Sequence, residues 1–562
     1  MLGVQECVMV FVERRSKAPK QAFGVQNDNG ILQLRAIFLL GCVLFAIGCA
    51  APTLRDQRSM TAEWLSDDGG RAMRDPGPPR RVLLITVAGL ESADFLNRSG
   101  RIASETDAVR MPNLARLGRQ GVVGIEVQPP APSSVYASHA TIATGRLPNR
   151  HGVIADSALD RSGNRALPFW DNRLLKGDAL WDAAIGRGVL ALGWPSTLGA
   201  RIELIVPDGA AGDASQTWLE FIAKGASPPL LRMLQDIAAT AMDAESGDGA
   251  EKGPRDPHSW PTPQEKDAAF VDVACRLTES ERDPGLWLIR LNQTATAQVG
   301  AGFGSLAVGA ALSRVDSEIG RLMGCLESAG RLADTAIFVT GDVAYRAVHT
   351  RVDPNVALVA QGLIGRDPRS SLGVRSWRAL LRSNGRSAYL YARDAESAIE
   401  ARKGLEAAAA VTRAFEVVPA SELAESGADP QAWFGLAANP GFVLGNGLSK
   451  PMLRPSELRG STGALPFRDP MDSSVGFVAW GRGIRPQVRV PRLDLADIAP
   501  TIAKLLGLRF DSDFDGAPMI GILRAAVAPQ PRSGPKRLGV GTDGDVDQLL
   551  REMGGGRELG RD

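Results

Sequence analysis

Short apolar runs alternate along this chain with longer stretches in which apolar residues recur every three or four positions. The runs cover residues 82–87, 189–192, 286–291, 336–340 and 475–479, and such continuous runs are typical of strands buried on both faces. Between them, residues 308–326 carry the helical spacing, with apolar side chains at Val308, Leu312, Val315, Ile319, Leu322 and Leu326. This alternation predicts an α/β fold, with a mostly parallel central sheet and helices on both faces.

Reactive groups of such folds gather where the parallel strands end, at the carboxyl edge of the sheet. Three residues lie within two positions after the ends of predicted strands and are expected at that edge: Ala88, Asn292 and Asp342. A methyl group, an amide and a carboxyl group therefore take the positions where chemistry is expected.

The composition divides the 562 residues into four parts. Residues 1–49 form a leader, residues 50–80 a polar tether that ends in Pro and Gly, and residues 81–527 one folded domain. Residues 528–562, rich in Pro, Gly and charge, are predicted to be disordered apart from a short helix near 545–553. Residues 240–262 have the composition of a surface insertion.

The leader has the layout of an export signal. Arg35 precedes an uncharged apolar run at 36–48, which is too short to span a bilayer and is followed by Cys49 and small residues. The sequence A-I-G-C resembles a bacterial lipobox, although Ala46 stands where Leu is usual. We expect a lipoprotein cleaved before Cys49, held at the extracytoplasmic face of a membrane, and two alternatives are an uncleaved anchor and cleavage elsewhere.

Cysteine use and charge limit the possible partners. Cys7, Cys42 and Cys49 lie in the leader, which leaves Cys275 and Cys325 in the domain. An oxidising compartment would permit a disulfide between the last two, but buried free thiols are the expectation. The formal net charge of +1 gives no reason to expect a nucleic-acid partner, and abundant Ala, Gly, Arg and Pro are typical of a GC-rich bacterial gene.

Two motifs carry a resemblance to a known family. Residues 82–90 read VLLITVAGL, and residues 132–152 read PSSVYASHATIATGRLPNRHG. They resemble the V-D-G and T-x-P-x-H-x-T-x-x-T-G segments of the type I phosphodiesterase/nucleotide pyrophosphatase branch of the alkaline phosphatase superfamily. The similarity extends over residues 81–523 and includes a D-I-A-P-T-I helix within 493–508. It implies an alkaline-phosphatase-like fold with a small inserted cap region.

The resemblance also implies two zinc ions, held by three Asp and three His, and a Thr or Ser nucleophile. The nucleophile position is Val135, and Ala88, Val343 and Thr462 stand where ligands belong. Asp342 is the one ligand position that is retained. The family's D-x-x-x-H pair should fall within residues 292–300, which contain neither Asp nor His. We therefore expect no zinc.

Another family position also differs, because Asp156 stands where relatives have an Asn that binds the phosphate. A carboxylate there would repel a phosphate unless it were protonated or paired. Asp342 itself is expected to cap a loop or to pair with Arg346, and His349 could approach it.

The chain has four histidines, and neither His139 nor His151 matches a zinc-ligand position, so both are expected to be structural. His258 lies in the expected insertion. The hydroxyl groups near Val135 belong to Ser133, Ser134, Tyr136 and Ser138, and serines before a helix are usually caps. A Ser-His-Asp triad that includes Asp156 finds no supporting motif.

Three functions remain open from the sequence. The first is an exported, membrane-anchored pseudoenzyme that binds an unidentified protein or small-molecule ligand. The second is a hydrolase of phosphodiesters or pyrophosphates with a reduced metal site. The third is a structural component of the cell envelope. The first is the leading hypothesis, because the ligands are lost together while the frame of strands and helices is kept.

Overall fold

The computed structural model describes residues 77–96, 110–159, 166–168, 171–209, 217–245, 261–367, 369, 373–465 and 473–524. They lie in one compact unit, Ala72–Asp562. The predictions for the leader, for the tether up to residue 76, for His258 and for the tail 528–562 fall outside the described residues. So do residues 246–260 of the expected insertion.

Within these residues the strands are β1 (Arg81–Val87), β2 (Val122–Gln128), β3 (Ser157–Leu159), β4 (Ala166–Pro168), β5 (Val189–Trp194), β6 (Leu204–Pro207), β7 (Leu286–Leu291), β8 (Thr335–Gly341), β9 (Arg346–Val352), β10 (Ile364–Arg366), β11 (Val374–Trp377), β12 (Ala379–Asn384), β13 (Ser387–Ala392), β14 (Phe415–Val418), β15 (Phe434–Ala438), β16 (Gly441–Leu444), β17 (Leu453–Pro455), β18 (Gly460–Ser461), β19 (Phe477–Gly481) and β20 (Val488–Asp494).

The α-helices are α1 (Pro112–Gln120), α2 (Val135–Thr144), α3 (Pro148–His151), α4 (Leu180–Ala183), α5 (Trp218–Ile222), α6 (Pro228–Glu245), α7 (Pro263–Glu279), α8 (Gln293–Ala301), α9 (Leu306–Ser328), α10 (Asn355–Ala360), α11 (Ala395–Thr412), α12 (Ala420–Glu425) and α13 (Ile498–Leu506).

The central sheet has eight strands in the order β20-β2-β19-β8-β1-β7-β5-β6. All its neighbours pair in parallel except β19, which is antiparallel to both β2 and β8. The predicted α/β class with a mostly parallel sheet is confirmed. The strand predicted at 475–479 instead begins at Phe477, because Val475 and Gly476 donate their N–H groups to Val127 and Leu90.

The two faces of the sheet are covered by different helices. Alternate residues of β1 point to opposite sides, with Leu83 and Ile85 in one buried cluster and Val82 and Leu84 in the other. Helices α1, α5, α6, α7 and α9 contribute to the first cluster, and α2, α4 and α13 to the second. A strand that is apolar throughout its length is what this double burial requires.

A second sheet is antiparallel and has its own core. Its strand order is β12-β13-β15-β14, and α11 and α10 pack residues such as Leu405 and Leu358 against Leu390 and Leu436. This sheet lies between β9 and β19 in the chain, far from the expected insertion at 240–262. Its strands were not identified as a separate sheet from the sequence.

The expectation of free thiols at Cys275 and Cys325 is wrong, because these residues form a disulfide. They lie on α7 and α9, which cover the same face of the sheet, and their Cα atoms are 5.4 Å apart. This separation is typical of bonded cysteines. No helix among the described residues is both long and apolar enough to cross a membrane.

Candidate functional site

The carboxyl ends of three neighbouring strands bring the predicted site positions together. Val87, the last residue of β1, is in register with the last residues of both β7 and β8. Ala88, Asn292 and Asp342 follow these strand ends directly, so they share one edge of the sheet, as the sequence predicts.

Asp342 is fully buried, and its two carboxyl oxygens have different surroundings. Oδ1 accepts hydrogen bonds from the backbone N–H groups of Gly89, at 3.1 Å, and Val343, at 2.7 Å. Oδ2 has no hydrogen-bond partner among the described residues, and Nδ1 of His139 lies 3.9 Å away. Burial raises the pKa of Asp342 to about 6, against the charge of Arg290. Asp342 therefore caps the backbone at Gly89 and Val343, which agrees with the expectation that it caps a loop.

The other expectations for Asp342 are wrong. Arg346 pairs with Glu91, because β9 starts at Arg346 and leads the chain away from the sheet edge. His349 is exposed, and its Nδ1 lies 2.8 Å from the hydroxyl group of Thr350. Neither side chain contributes to the surroundings of the buried carboxyl group.

Three further positions at which the family resemblance implies ligands offer little to a metal. Ala88 and Val343 are fully buried and apolar. Thr462 is half-buried, and its carbonyl group accepts the backbone N–H of Arg386. Of these three positions, only Thr462 has a side-chain oxygen, its hydroxyl group, that could bind a metal ion.

Helix α8 covers the residues in which the family resemblance implies a D-x-x-x-H pair. Its buried side chains there are neutral, and the sequence analysis did not single them out. Thr294 and Gln298 are four residues apart on one face of the helix, and both are buried. The hydroxyl group of Thr294 donates to the carbonyl oxygen of Ala88. The side-chain amide of Gln298 lies against Gly89. Both side chains thus reach the segment that follows β1.

Tyr345 packs into the same corner. A Cβ atom at Gly89 would lie 2.7 Å from the Tyr345 ring, and the Gly89 φ of +70° also favours glycine. Burial raises the pKa of Tyr345, and the nearby carboxylates of Asp342 and Asp156 raise it further. The aromatic ring therefore fills space beside the retained carboxyl group.

The predicted nucleophile position lies at the start of α2, whose first residue is the half-buried Val135. The backbone N–H of Tyr136 in this first turn donates to Oδ1 of Asp156, at 2.9 Å. Burial raises the pKa of Asp156, whereas this N–H and the charge of Arg290 lower it. A carboxylate of the chain itself thus occupies a helix N-terminus, a place that attracts anions.

The serines beside Val135 do not take the expected capping role. Ser134 is the N-cap residue of α2, but its side chain makes no capping hydrogen bond. Ser133 and Ser138 are fully buried, and their hydroxyl groups have no hydrogen-bond partner among the described residues. The capping contact comes from Asp156, 20 residues further along the chain.

The ring nitrogens of His139 are both engaged. Nδ1 lies 2.7 Å from the carbonyl oxygen of Val135, and Nε2 lies 2.9 Å from the hydroxyl group of Thr86. Burial holds the pKa of His139 well below its usual value. The base of a serine triad has a Ser hydroxyl at one ring nitrogen and a carboxylate at the other, whereas the hydrogen-bond partners of His139 are a Thr hydroxyl and a backbone carbonyl.

His151 has the same character. Its Nε2 lies 3.0 Å from the hydroxyl group of Thr141, and its Nδ1 accepts the backbone N–H of Val153 at 3.1 Å. Burial lowers the pKa of His151 to about 3. The geometry of both histidines agrees with the structural role predicted for them.

Arg290 is the main site residue that the sequence analysis missed. It is only 8% exposed. Its Nη1 donates to Oδ2 of Asp208 at 3.0 Å, and its Nη2 to Oδ1 of Asn292 at 2.9 Å. The hydroxyl group of Tyr136 donates to the same Asp208 oxygen, at 2.9 Å. The signal in the sequence is a charged residue inside the otherwise apolar strand LWLIRL.

The side chains at this edge do not fit the two zinc ions that the resemblance implies. Zinc sites are built from imidazole, thiolate and carboxylate groups. Asp342 offers one free carboxyl oxygen, whereas Thr294, Gln298 and Thr462 offer only neutral groups. In the described parts of the chain, no group of three or more His, Cys, Asp or Glu residues could hold a metal ion.

Comparisons with known proteins agree on the fold. A sequence model of the type I phosphodiesterase/nucleotide pyrophosphatase family matches residues 82–442. Human ectonucleotide pyrophosphatase/phosphodiesterase 5 superposes with a TM-score of 0.54 at 15% identity, covering 79% of this chain and 100% of that one. The murine protein gives 0.52 at 15% identity, covering 78% and 97%.

An inactive form of the murine protein, in complex with AMP, also gives a TM-score of 0.52 at 15% identity, covering 79% of this chain and 100% of that one. At this identity the likeness carries the fold alone. A search of curated proteins finds no match.

Proposed function

This chain belongs to the type I phosphodiesterase/nucleotide pyrophosphatase family, and we propose that it is a non-catalytic member that is exported, held at a membrane and acts by binding. The observation that carries the proposal is the start of α2. Val135 has no group that could attack phosphorus, and the backbone N–H of Tyr136 is already bound to Asp156.

The electrostatics of this edge support binding without phosphoryl transfer. Catalysis of that reaction depends on positive charge that neutralises the developing negative charge of the phosphoryl oxygens. The carboxyl groups of Asp156 and Asp208 bond to the backbone N–H and the hydroxyl group of Tyr136, next to Val135, and the guanidinium of Arg290 already bonds to Asp208 and Asn292. A phosphate bound there would gain little attraction from Arg290 and would be repelled by the negative charge of the carboxylates.

The retained frame supports a role that needs a folded surface. Both faces of the central sheet keep closely packed cores, with Trp181, Trp194 and Trp287 fully buried. Loss of the catalytic groups has therefore left the architecture intact. We infer that the folded surface, rather than turnover, is what the chain provides.

Export is supported by the disulfide between Cys275 and Cys325, because disulfides persist in oxidising compartments. Membrane attachment rests on the lipobox-like A-I-G-C that ends at Cys49. The binding partner is a protein or a small molecule at the extracytoplasmic face.

Hydrolysis of a chromogenic phosphodiester tests the proposal. The full-length protein, purified in mild detergent, should release no product above background, with or without added zinc. An active phosphodiesterase assayed in the same detergent serves as the control for the conditions. Turnover that is removed by a chelator and restored by zinc would overturn the proposal.

A further inference from the structure

The carboxyl edge of the sheet holds a group of acidic side chains in a poorly solvated place. Asp342 is fully buried, Asp156 is partly buried, and the carboxyl group of Asp208 is about one-fifth exposed. Carboxylates that leave water without a cation beside them cost several kcal/mol each. At the position of Asp342, where the family resemblance implies a metal ligand, a bound cation would offset this cost.

Arg290 is the buried cation of this region. Its guanidinium bonds to Asp208 and Asn292, and its charge lowers the pKa of Asp342 and of Asp156 against the effect of burial. In return, Asp208 and Asp342 raise the pKa of Arg290 against its own burial. The guanidinium is thus hydrogen-bonded to Asp208, and its charge also lowers the pKa of the other two carboxyl groups.

The position of Arg290 in the sheet explains this reach. Arg290 is the last residue but one of β7 and is in register with Thr86 of β1. The hydroxyl group of Thr86 lies 2.9 Å from Nε2 of His139 in α2. Side chains in register with Thr86 on the neighbouring strands therefore face that helix. Strand β7 lies between β8 and β6 in the sheet order, and the hydrogen bonds of Arg290 join the segments that follow β6 and β7.

We propose that the guanidinium of Arg290 replaces the metal ions of the family as the cation that holds this edge of the sheet together. The inference rests on the proposed function, in which no metal is bound. A guanidinium suits the task because it is permanently charged and presents five N–H donors in a plane, which match carboxylate geometry. The fold of the edge then needs no metal supply.

Chemical rescue tests this replacement. In the full-length protein, Arg290→Ala should lower the thermal midpoint by about 5 °C or more, because a buried ion pair is broken. Methylguanidinium at millimolar concentration should restore part of the loss, whereas N-methylurea, which is similar in shape but neutral, should not. The control is Arg321→Ala, which removes an exposed arginine paired with Asp272 and Glu318 and should change the midpoint little.

A second pair of variants keeps the test decisive if Arg290→Ala does not fold. Arg290→Met/Asp208→Asn should be more stable than Arg290→Met alone, because the double change removes a carboxylate together with its cation. A double variant no more stable than the single one, or equal effects of methylguanidinium and N-methylurea, would overturn the role of Arg290. Failure of the proposed function is seen separately, as phosphodiester hydrolysis by the unaltered protein.

Discussion

At the residue scale, Asp156 is a part of the fold at a position where the family resemblance implies a phosphate-binding Asn. It supplies the hydrogen bond that Ser134 does not make at the start of α2. One carboxyl group thereby stabilises the helix and occupies a helix N-terminus, where an anion would otherwise be attracted.

Asp156→Ala should lower the free energy of unfolding by about 1–2 kcal/mol, because the first turn of α2 loses its capping acceptor. Urea unfolding followed by tryptophan fluorescence measures the change. Ser305→Ala is a matched comparison, since Ser305 caps α9 by accepting from Val308, and it should cost about 1 kcal/mol. A loss for Ser305→Ala with none for Asp156→Ala would contradict the capping role.

The positions at which the family resemblance implies a nucleophile or a ligand could be assigned from the sequence because each lies inside a short motif or close to the end of a strand. Val135 and Ala88 are identified by neighbours along the chain. Arg290 and its partner Asp208 are 82 residues apart, and their contact depends on β6 and β7 both pairing with β5. Such a contact follows from the order of the strands in the sheet. The hydrophobic periodicity of the sequence does not give that order.

At the element scale, helix α8 begins on a buried carboxyl group. Asp267 of α7 accepts the backbone N–H groups of Asn292 and Gln293, both at 2.9 Å. Burial raises the pKa of Asp267 to about 7. One acidic side chain thus links α7 to the segment that in relatives carries the D-x-x-x-H pair.

This carboxyl group should make stability depend on pH. Because its pKa is higher in the folded chain than the ordinary 3.8, the unfolded chain releases the proton first as the pH rises. The free energy of unfolding should therefore fall between about pH 4 and pH 7, by as much as about 4 kcal/mol, and then stay level. Urea unfolding of the wild type and Asp267→Asn across this range measures the effect.

The free energy of unfolding of the wild type minus that of Asp267→Asn should fall steadily up to about pH 7, because only the wild type titrates at this position. Asp272→Asn, on the exposed side of the same helix, controls for the loss of one carboxyl group. Parallel pH curves for the wild type and Asp267→Asn would show that Asp267 titrates alike in the folded and unfolded chain.

Strands buried on both faces were predictable because most of their residues are apolar, as in β1, β7 and β8. The second sheet was harder to identify. Strand β12 ends in Arg382-Ser383-Asn384, and β14 contains a charged Glu416. Half-exposed antiparallel strands mix polar and apolar positions, so their pattern is weaker than that of the central strands.

At the scale of the whole molecule, the fold of the type I phosphodiesterase/nucleotide pyrophosphatase family is combined with a sheet edge at which Ala88, Val135 and Val343 have apolar side chains. The parallel sheet, the helices on both faces and the family were all predictable from the sequence. The sequence analysis did not favour the disulfide, because Cys275 and Cys325 are 50 residues apart and meet only through the packing of α7 against α9.

Membrane attachment is testable at this scale. Cys49→Ser should move the protein from the membrane fraction to the soluble fraction of cells, because a lipidated cysteine would be the anchor. Cys42→Ser, a change in the same leader that spares the lipobox-like sequence, should leave the distribution unchanged. Membrane retention of Cys49→Ser equal to that of Cys42→Ser would point to an uncleaved anchor.

The zinc content of the purified protein tests the central claim most directly. The full-length chain, purified without chelator and then dialysed against micromolar zinc, is measured by elemental analysis beside its protein concentration. The apolar or neutral residues at Ala88, Val343 and Thr462, and the lack of Asp and His within residues 292–300, predict far less than one zinc ion per chain. Two zinc ions per chain that only a chelator removes would contradict the account, and would mean that other residues form the metal site.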